Sequence, residues 1–241
     1  ITMANVGVVQ AENVAVELST TNPYITLTDS IANYGTIPAG SSSSIADGFS
    51  YTVANDIPDL ESVSFMITAT SDTLSWTSYI SIEAHAPLLE YIGIAIADPL
   101  GNNDGTFDPG ETVELTITIE NLGSSDAINV IGELSITDPY VTVNTSVGNY
   151  YDMQGGSQDS AVFTASALLS APNGHLAEFV LTVTADLSIG CTDNPEVIIG
   201  QIPVLVLDLD EDSSSAPEME NALTELGINF ETKSVFPESL E

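Results

Sequence analysis

One stretch of this chain sets oxygen-bearing side chains at the intervals a cation needs. It reads Asp98-Pro99-Leu100-Gly101-Asn102-Asn103-Asp104-Gly105-Thr106-Phe107-Asp108-Pro109-Gly110-Glu111. Calcium takes about 6–8 oxygen ligands, and alternate side chains converge when the backbone curls round the ion. Counted as a twelve-residue calcium loop from Leu100, the side chains of Asn102, Asp104, Asp108 and Glu111 take positions 3, 5, 9 and 12. Thr106 takes position 7, where the backbone carbonyl is the ligand, and Gly105 takes position 6, where the chain bends. Position 1 holds Leu100 instead of a carboxylate, and Asp98 is expected to replace it by folding back. The predicted Ca²⁺ set is therefore Asp98, Asn102, Asp104, Thr106, Asp108 and Glu111. The competing reading is an Asx-rich turn, since Asn, Asp and Gly favour such turns without metal. Crowded carboxylates repel one another when no cation is present, which favours the metal.

Other reactive residues carry less. Cys191 with His85 or His175 would make a thiol and base only if the fold joined them, and no catalytic signature surrounds Cys191. It is expected to be a small residue in the loop after Leu187-Ser188-Ile189-Gly190, and the histidines to be solvated or packed. No phosphate loop, HExxH or GxSxG motif occurs. The run Asp208, Asp210, Glu211, Asp212 reads as a solvated loop ahead of a helix. The chain is expected not to be an enzyme.

Charge narrows the partners. Among 241 residues there are 35 acidic side chains and one basic side chain, Lys233, for a formal net charge of −34. Nucleic acids and anionic membrane surfaces are recognised through Lys and Arg, so neither is an expected partner. Hydrophobic residues make up 43%, enough for a sizeable core. No run approaches ~18 uninterrupted apolar residues, so no membrane-spanning helix is expected. A single cysteine excludes an intrachain disulfide.

The loop must be held by strands, and the chain repeats them. Residues 1–27 align without gaps on residues 117–143, an offset of 116 with 14 identities. Asn5-Val6-Gly7 matches Asn121-Leu122-Gly123, and Pro23-Tyr24-Ile25-Thr26 matches Pro139-Tyr140-Val141-Thr142. Further on, Phe65–Thr70 resembles Val180–Ala185 at a slightly different offset. Val113-Glu114-Leu115-Thr116-Ile117-Thr118-Ile119-Glu120 alternates apolar and polar, as a half-buried strand does. Short alternating strands separated by Asn, Asp, Gly and Pro turns predict an antiparallel sandwich. Ser41–Ser44 reads as a polar loop, and Trp76 and the tyrosines as packing residues. The expected fold class is all-β, two tandem Ig-like antiparallel β-sandwiches with a short C-terminal strand-loop-helix segment.

The expected boundaries are 1–87, a sandwich lacking its first strands; 88–202, a sandwich carrying the calcium-type loop; and 203–241, a strand and helix. Position 1 corresponds to Ile117, inside a strand, so something must cover the gap in the first sandwich. In the last segment, Pro203–Leu207 is an apolar run typical of a buried strand. Ser215-Ala216-Pro217-Glu218 opens a helix, Met219, Ala222, Leu223 and Leu226 form its apolar stripe, and Gly227 ends it. This segment is expected to be the start of an α/β unit or an assembly arm.

The stretch NNDGTFDPGETVELTITIENLGSSDAINV resembles the signature of Ig-like, CARDB-like modules. These recur in large secreted bacterial proteins, including gingipain-like peptidases and sorted surface proteins. The resemblance covers about residues 1–200 as two copies. It implies an extracellular or cell-surface β-sandwich used as a spacer, adhesion or accessory domain. The expected function is a calcium-stiffened structural segment, with the ion fixing the angle between modules beside the linker His85–Leu89. Head-to-tail self-association is expected, by strand exchange between the tail around Val204–Leu207 and the open first sandwich, building a filament. The alternative is a non-catalytic accessory or adhesion region of a secreted peptidase or hydrolase, with a protein or glycan ligand.

Overall fold

The computed structural model describes residues 1–72, 74–200, 204–209, 216–226, 228 and 230–235. The fold is all-β, apart from one α-helix and one 3₁₀ turn among the described residues. Two compact units form: Ile1–Leu88 with Gly123–Ser125, and Leu89–Leu122 with Asp126–Glu241.

The first unit contains β1 (Thr2–Ala4), β2 (Ala11–Ser19), β3 (Ile25–Asp29), β4 (Ile31–Ile37), β5 (Ser42–Ser44), β6 (Ser50–Val53), β7 (Ser62–Ser71) and β8 (Leu74–Glu83). Its larger sheet runs β4-β2-β7-β8; opposite lie the pairs β3-β6 and β1-β5. Strict alternation turns Val63, Phe65, Ile67 and Ala69 of β7 inward to meet Val14, Val16 and Leu18 of β2. All ten residues of the edge strand β8 are exposed. Trp76 is among them, so it does not pack as its size suggested.

The second unit contains β9 (Leu89–Ala97), β10 (Thr112–Asn121), β11 (Ala127–Ile136), β12 (Val141–Thr145), β13 (Val147–Met153), β14 (Gln158–Ala167), β15 (His175–Thr184), β16 (Gly190–Asp193) and β17 (Glu196–Ile199). One sheet runs β12-β14-β10-β9 and the other β13-β11-β15-β16, with β17 also on β15. The pairings among these nine strands are all antiparallel. Between the sheets lie Leu115, Ile117, Phe163, Phe179 and Leu181, all fully buried. Gly132 and Gly148 let the aromatic core close. A Cβ on Gly148 would sit 2.7 Å from both Ala161 and Phe163.

The repeat extends to individual hydrogen bonds at the same offset of 116. Tyr34 donates its hydroxyl to the Ile1 carbonyl, as Tyr150 does to Ile117. Asn5 donates its side-chain amide to the Ile37 carbonyl, as Asn121 does to Met153. Gly40 and Gly156 donate their N–H groups to the carbonyls of Asn5 and Asn121. Asn13 and Asn129 both adopt positive φ, at 52° and 55°. Their irregular register with β4 and β13 recurs too.

Three sequence expectations need correction here. Strand pairing sets Phe65 opposite the role of Phe179, not Val180, because Ala15 pairs Thr70 where Ile131 pairs Thr184. A one-residue slip would turn every inward side chain outward. Ser42–Ser44 is not a loop but a strand, made so by pairing with Thr2–Ala4. The strand Val204–Leu207 (β18) is not unpaired. It lies parallel to β19 (Phe230–Lys233), with helix α1 (Ala216–Glu225) between them in sequence.

Within α1 Met219 and Ala222 are exposed, as is Leu226 just after it, and the inward residues are Ala216, Glu220 and Leu223. The expected positions Pro203, Asp210, Glu211, Asp212, Ser215 and Gly227 lie outside the described residues. No helix of the described residues is long and apolar enough to cross a membrane.

Phe163→Ala is expected to destabilise the second unit by about 3–5 kcal/mol, because its site between two β-sheets cannot collapse. Urea unfolding followed by far-UV circular dichroism measures this.

Candidate functional site

The loop from Asp98 to Glu111 joins β9 to β10, so both ends are pinned in one sheet. Its middle is anchored by Phe107, which is buried and bridges Ile199. The Phe107 carbonyl accepts the Gly200 N–H at 2.7 Å. The turns need Asn103, Gly105 and Gly110 at positive φ of 61°, 84° and 92°.

Asp98 does fold back. Its carboxylate is 2% exposed and accepts three backbone N–H groups. They come from Asn103 at 2.6 Å, Gly105 at 2.8 Å and Asp104 at 3.2 Å. Glu111 closes the loop from the other side, accepting the N–H of Asn102 at 3.1 Å and of Asp108 at 3.2 Å. A side chain at Gly101 would collide with Glu111 Oε1 and lie 3.1 Å from Asp98 Oδ2, so these two carboxylates meet across this glycine.

The outer ligands behave differently. Asn102 donates to Asp108 Oδ2 at 3.2 Å. Asp104 accepts both the N–H and the hydroxyl of Thr106, at 2.9 and 2.6 Å, and these bonds hold its carboxyl below the usual carboxylate range. Thr106 thus uses its hydroxyl within the loop, while its expected ligand atom was the carbonyl. The predicted residues share one loop, but the described residues contain no gathered group of three or more His, Cys, Asp or Glu side chains suited to a metal.

Charge in the loop is thus offset first by amides. Even so, a carboxylate offers about four lone-pair sites, and the bonds above occupy one on Asp108 and two on Glu111. All donors are oxygens, which fits a hard cation such as Ca²⁺ better than a softer metal.

The other candidates separate. Cys191 lies on β16 rather than in a loop, because Val183 of β15 pairs with it. Burial, followed by the carboxylates of Asp193 and Glu90, pushes its thiol pKa up, which suppresses the reactive thiolate. His85 is exposed, and its Nδ1 lies 2.6 Å from the Ser124 hydroxyl. His175 is more constrained. Its Nε2 lies 2.7 Å from Asp138 Oδ2, and its ring meets Tyr140 edge-on at 5.0 Å.

Sequence reasoning missed the His175–Asp138 pair, because the partners are 37 residues apart. The signal available was Asp138 at the turn position where the first repeat has Asn22. Both cap the N–H two residues on. Burial alone would raise the Asp138 pKa. The His175 hydrogen bond, the amides of Tyr140 and Val141 and the His175 charge outweigh it and set the pKa below the usual value.

No family model matches this sequence, and no curated protein does either. Solved structures give distant similarities. A transglutaminase of red sea bream is 9% identical, with a TM-score of 0.31 over 83% of this chain and 28% of that one. The C-terminal domain of the AgI/II polypeptide BspA from Streptococcus agalactiae is 10% identical, with a TM-score of 0.33 over 78% of this chain and 85% of that one. The secreted serine protease VesC from Vibrio cholerae is 14% identical, with a TM-score of 0.23 over 78% of this chain and 46% of that one. At these scores the similarities assign no role.

The loop and the His175–Asp138 contact each give a prediction. In chelator, Asp98→Ala is expected to cost roughly 2–4 kcal/mol, since it orphans three amides beside the core; denaturant unfolding reads this. The lowered Asp138 pKa favours folding above the unfolded carboxylate value near ~3.9, and that stability is lost as pH falls through the folded value. Asp138→Asn is expected to flatten the loss of stability below about pH 4, measured as melting temperature against pH. An unchanged slope would place the acid-sensitive group elsewhere.

Proposed function

We propose that this chain is a non-catalytic structural segment of an extracellular protein, built from tandem β-sandwich modules and stiffened by Ca²⁺ at the Asp98–Glu111 loop. The observation that carries the structural reading is the repeat itself. The same Tyr, Asn and Gly hydrogen bonds recur at one offset in both units. Repetition of the sandwich's strands and ties, the tyrosine included, multiplies a scaffold. A catalytic centre instead depends on residues that differ from their surroundings.

Calcium is supported by the donor chemistry. Asp98 and Glu111 face one another across Gly101, and Asn102, Asp104 and Asp108 lie along the same turn. Thr106 would contribute its carbonyl. A bound cation would supply positive charge to a chain that has one basic side chain, drawing Asp104 and Asp108 toward the pair already in place. The loop would then resist opening, and β9 and β10 would be clamped at their shared end.

Titration calorimetry with CaCl₂ against the chelated protein is expected to show binding. At 100 times the dissociation constant the ion adds about 2.7 kcal/mol, which raises the melting temperature of a unit this size by several degrees. A variant carrying Asp104→Asn and Asp108→Asn is expected to lose most of that rise. Absence of heat, with a melting temperature indifferent to chelator, would remove calcium from the reading and leave the scaffold.

A further inference from the structure

The two units guard one matching sheet edge differently. Among the described residues the last strand of that sheet pairs on one side alone: β8 with β7, and β16 and β17 with β15. An open edge offers a row of N–H and C=O groups to any extended chain, and proteins blunt it with proline, a break or a charge turned inward. The second unit uses all three. Its edge breaks between Asp193 and Glu196, and Pro195 stands in the break. Asp193 pairs Leu181 and so lies on the face of that buried side chain. The first unit uses none. Phe65 pairs Ile80 where Phe179 donates to the Pro195 carbonyl, and Ile67 pairs Ser78 where Leu181 pairs Asp193. β8 keeps one unshifted register with β7 over ten residues and has no charged residue before Glu83.

The pairing fixes which groups face outward. The Ala84 N–H donates to the Glu61 carbonyl at 2.9 Å, and the Phe179 N–H to the Pro195 carbonyl, also at 2.9 Å. Bonded pairs alternate along an antiparallel ladder, so Ile82, Ile80, Ser78, Trp76 and Leu74 turn their backbone groups to β7. Glu83, Ser81, Tyr79, Thr77 and Ser75 turn theirs to the open edge. Beside that edge Tyr79 stands opposite Met66 on the outer face, and both are exposed. They offer an aromatic ring and a thioether to the side chains of an added strand. Charge sits at the two ends. Asp72 precedes the strand and Glu83 ends it, and no other charged residue lies from Ser62 to Glu83.

We propose that β8 is a docking edge for an extended segment of a basic protein partner, added antiparallel as the next strand of the β4-β2-β7-β8 sheet. The segment is uncharged along its middle and carries Lys or Arg at each end, against Asp72 and Glu83. Main-chain hydrogen bonds supply the affinity. Charge selects the partner: a chain at −34 with one basic side chain repels a second copy of itself and attracts a cationic one. The open side of the edge is a property of the sheet's topology, since β16 and β17 leave the same side of theirs unpaired. What sets β8 apart is the loss of the proline, the break and the inward acid. The docking edge does not depend on calcium.

Trp76, the chain's single tryptophan, lies on β8 and reports occupancy. In chelator, the full chain is titrated with a peptide as long as β8, alternating threonine and valine, with a lysine at each end. Tryptophan fluorescence is expected to shift to shorter wavelength, and hydrogen exchange at the amides of Thr77, Tyr79 and Ser81 to slow by at least about tenfold. The same peptide ending in glutamates is expected to bind at least about tenfold more weakly. Thr77→Pro removes an edge donor and puts a ring in the path of the added strand, while the bonds to β7 stay. It is expected to abolish the response with the melting temperature changed by less than about 3 °C. A fully N-methylated peptide repeats that test with the protein unaltered. Unchanged exchange with the lysine peptide would overturn the proposal, as would binding that survives both Thr77→Pro and N-methylation, or equal affinity for the glutamate peptide. Self-association seen by light scattering and abolished by Thr77→Pro would also overturn it, by assigning the edge to a second copy.

Discussion

The architecture depends on one strand position, that of β10 at the centre of its sheet. A sandwich buries two apolar faces against each other, and a gap in the middle of either face exposes the residues opposite. In the second unit Val113, Leu115, Ile117 and Ile119 fill this line, each at most 1% exposed. Two polar ties lock its far end. The Tyr150 hydroxyl reaches the Ile117 carbonyl, and the Asn121 side chain reaches the Met153 carbonyl. A buried tyrosine is tolerated only because its hydroxyl has that partner, and burial drives its pKa well above the ordinary phenol value. The first unit repeats both ties, through Tyr34 and Asn5.

That same strand gives the candidate loop its footing. Glu111 is the residue before β10, and its carbonyl accepts from Ala167 while its carboxylate caps the loop. One residue therefore joins the loop to the strand. A cation drawn to Asp98 and Glu111 would act on the strand beneath, which is why calcium is read here as stiffening rather than as chemistry.

Much of this was legible in the sequence. The identity of Asn5 and Asn121 at the offset of 116 marked a position that holds one of the hydrogen-bonded ties. Alternation in Val113–Glu120 gave the strand and its inward face. What failed was decided by tertiary pairing. Ser42–Ser44 has no strand propensity worth noting and becomes a strand through β1. Cys191 sits among turn residues but is captured by Val183. The slip between Phe65 and Val180 arose because two apolar runs match by type at either of two registers, and only the facing sheet chooses. In the loop, the sequence offered the acids as cation ligands but could not reveal that backbone amides reach Asp98 and Glu111.

Those amides also explain how so acidic a chain stays folded. With Lys233 its only basic side chain, nearly every carboxylate must find a neutral donor or remain in water. The structure uses turns for this. Asp98 takes three amides, Asp138 takes those of Tyr140 and Val141, Asp59 takes those of Ala86 and Ser124, Asp152 takes that of Asn129 and Asp126 takes that of Gly155. Such bonds are charge-assisted and short-ranged, so they fix loop shape without an ion pair at the surface. They leave the net charge in place. The loops are thereby ordered while the surface stays repulsive to other anionic chains, a combination suited to a scaffold that must hold its form without aggregating through exposed strands such as β8.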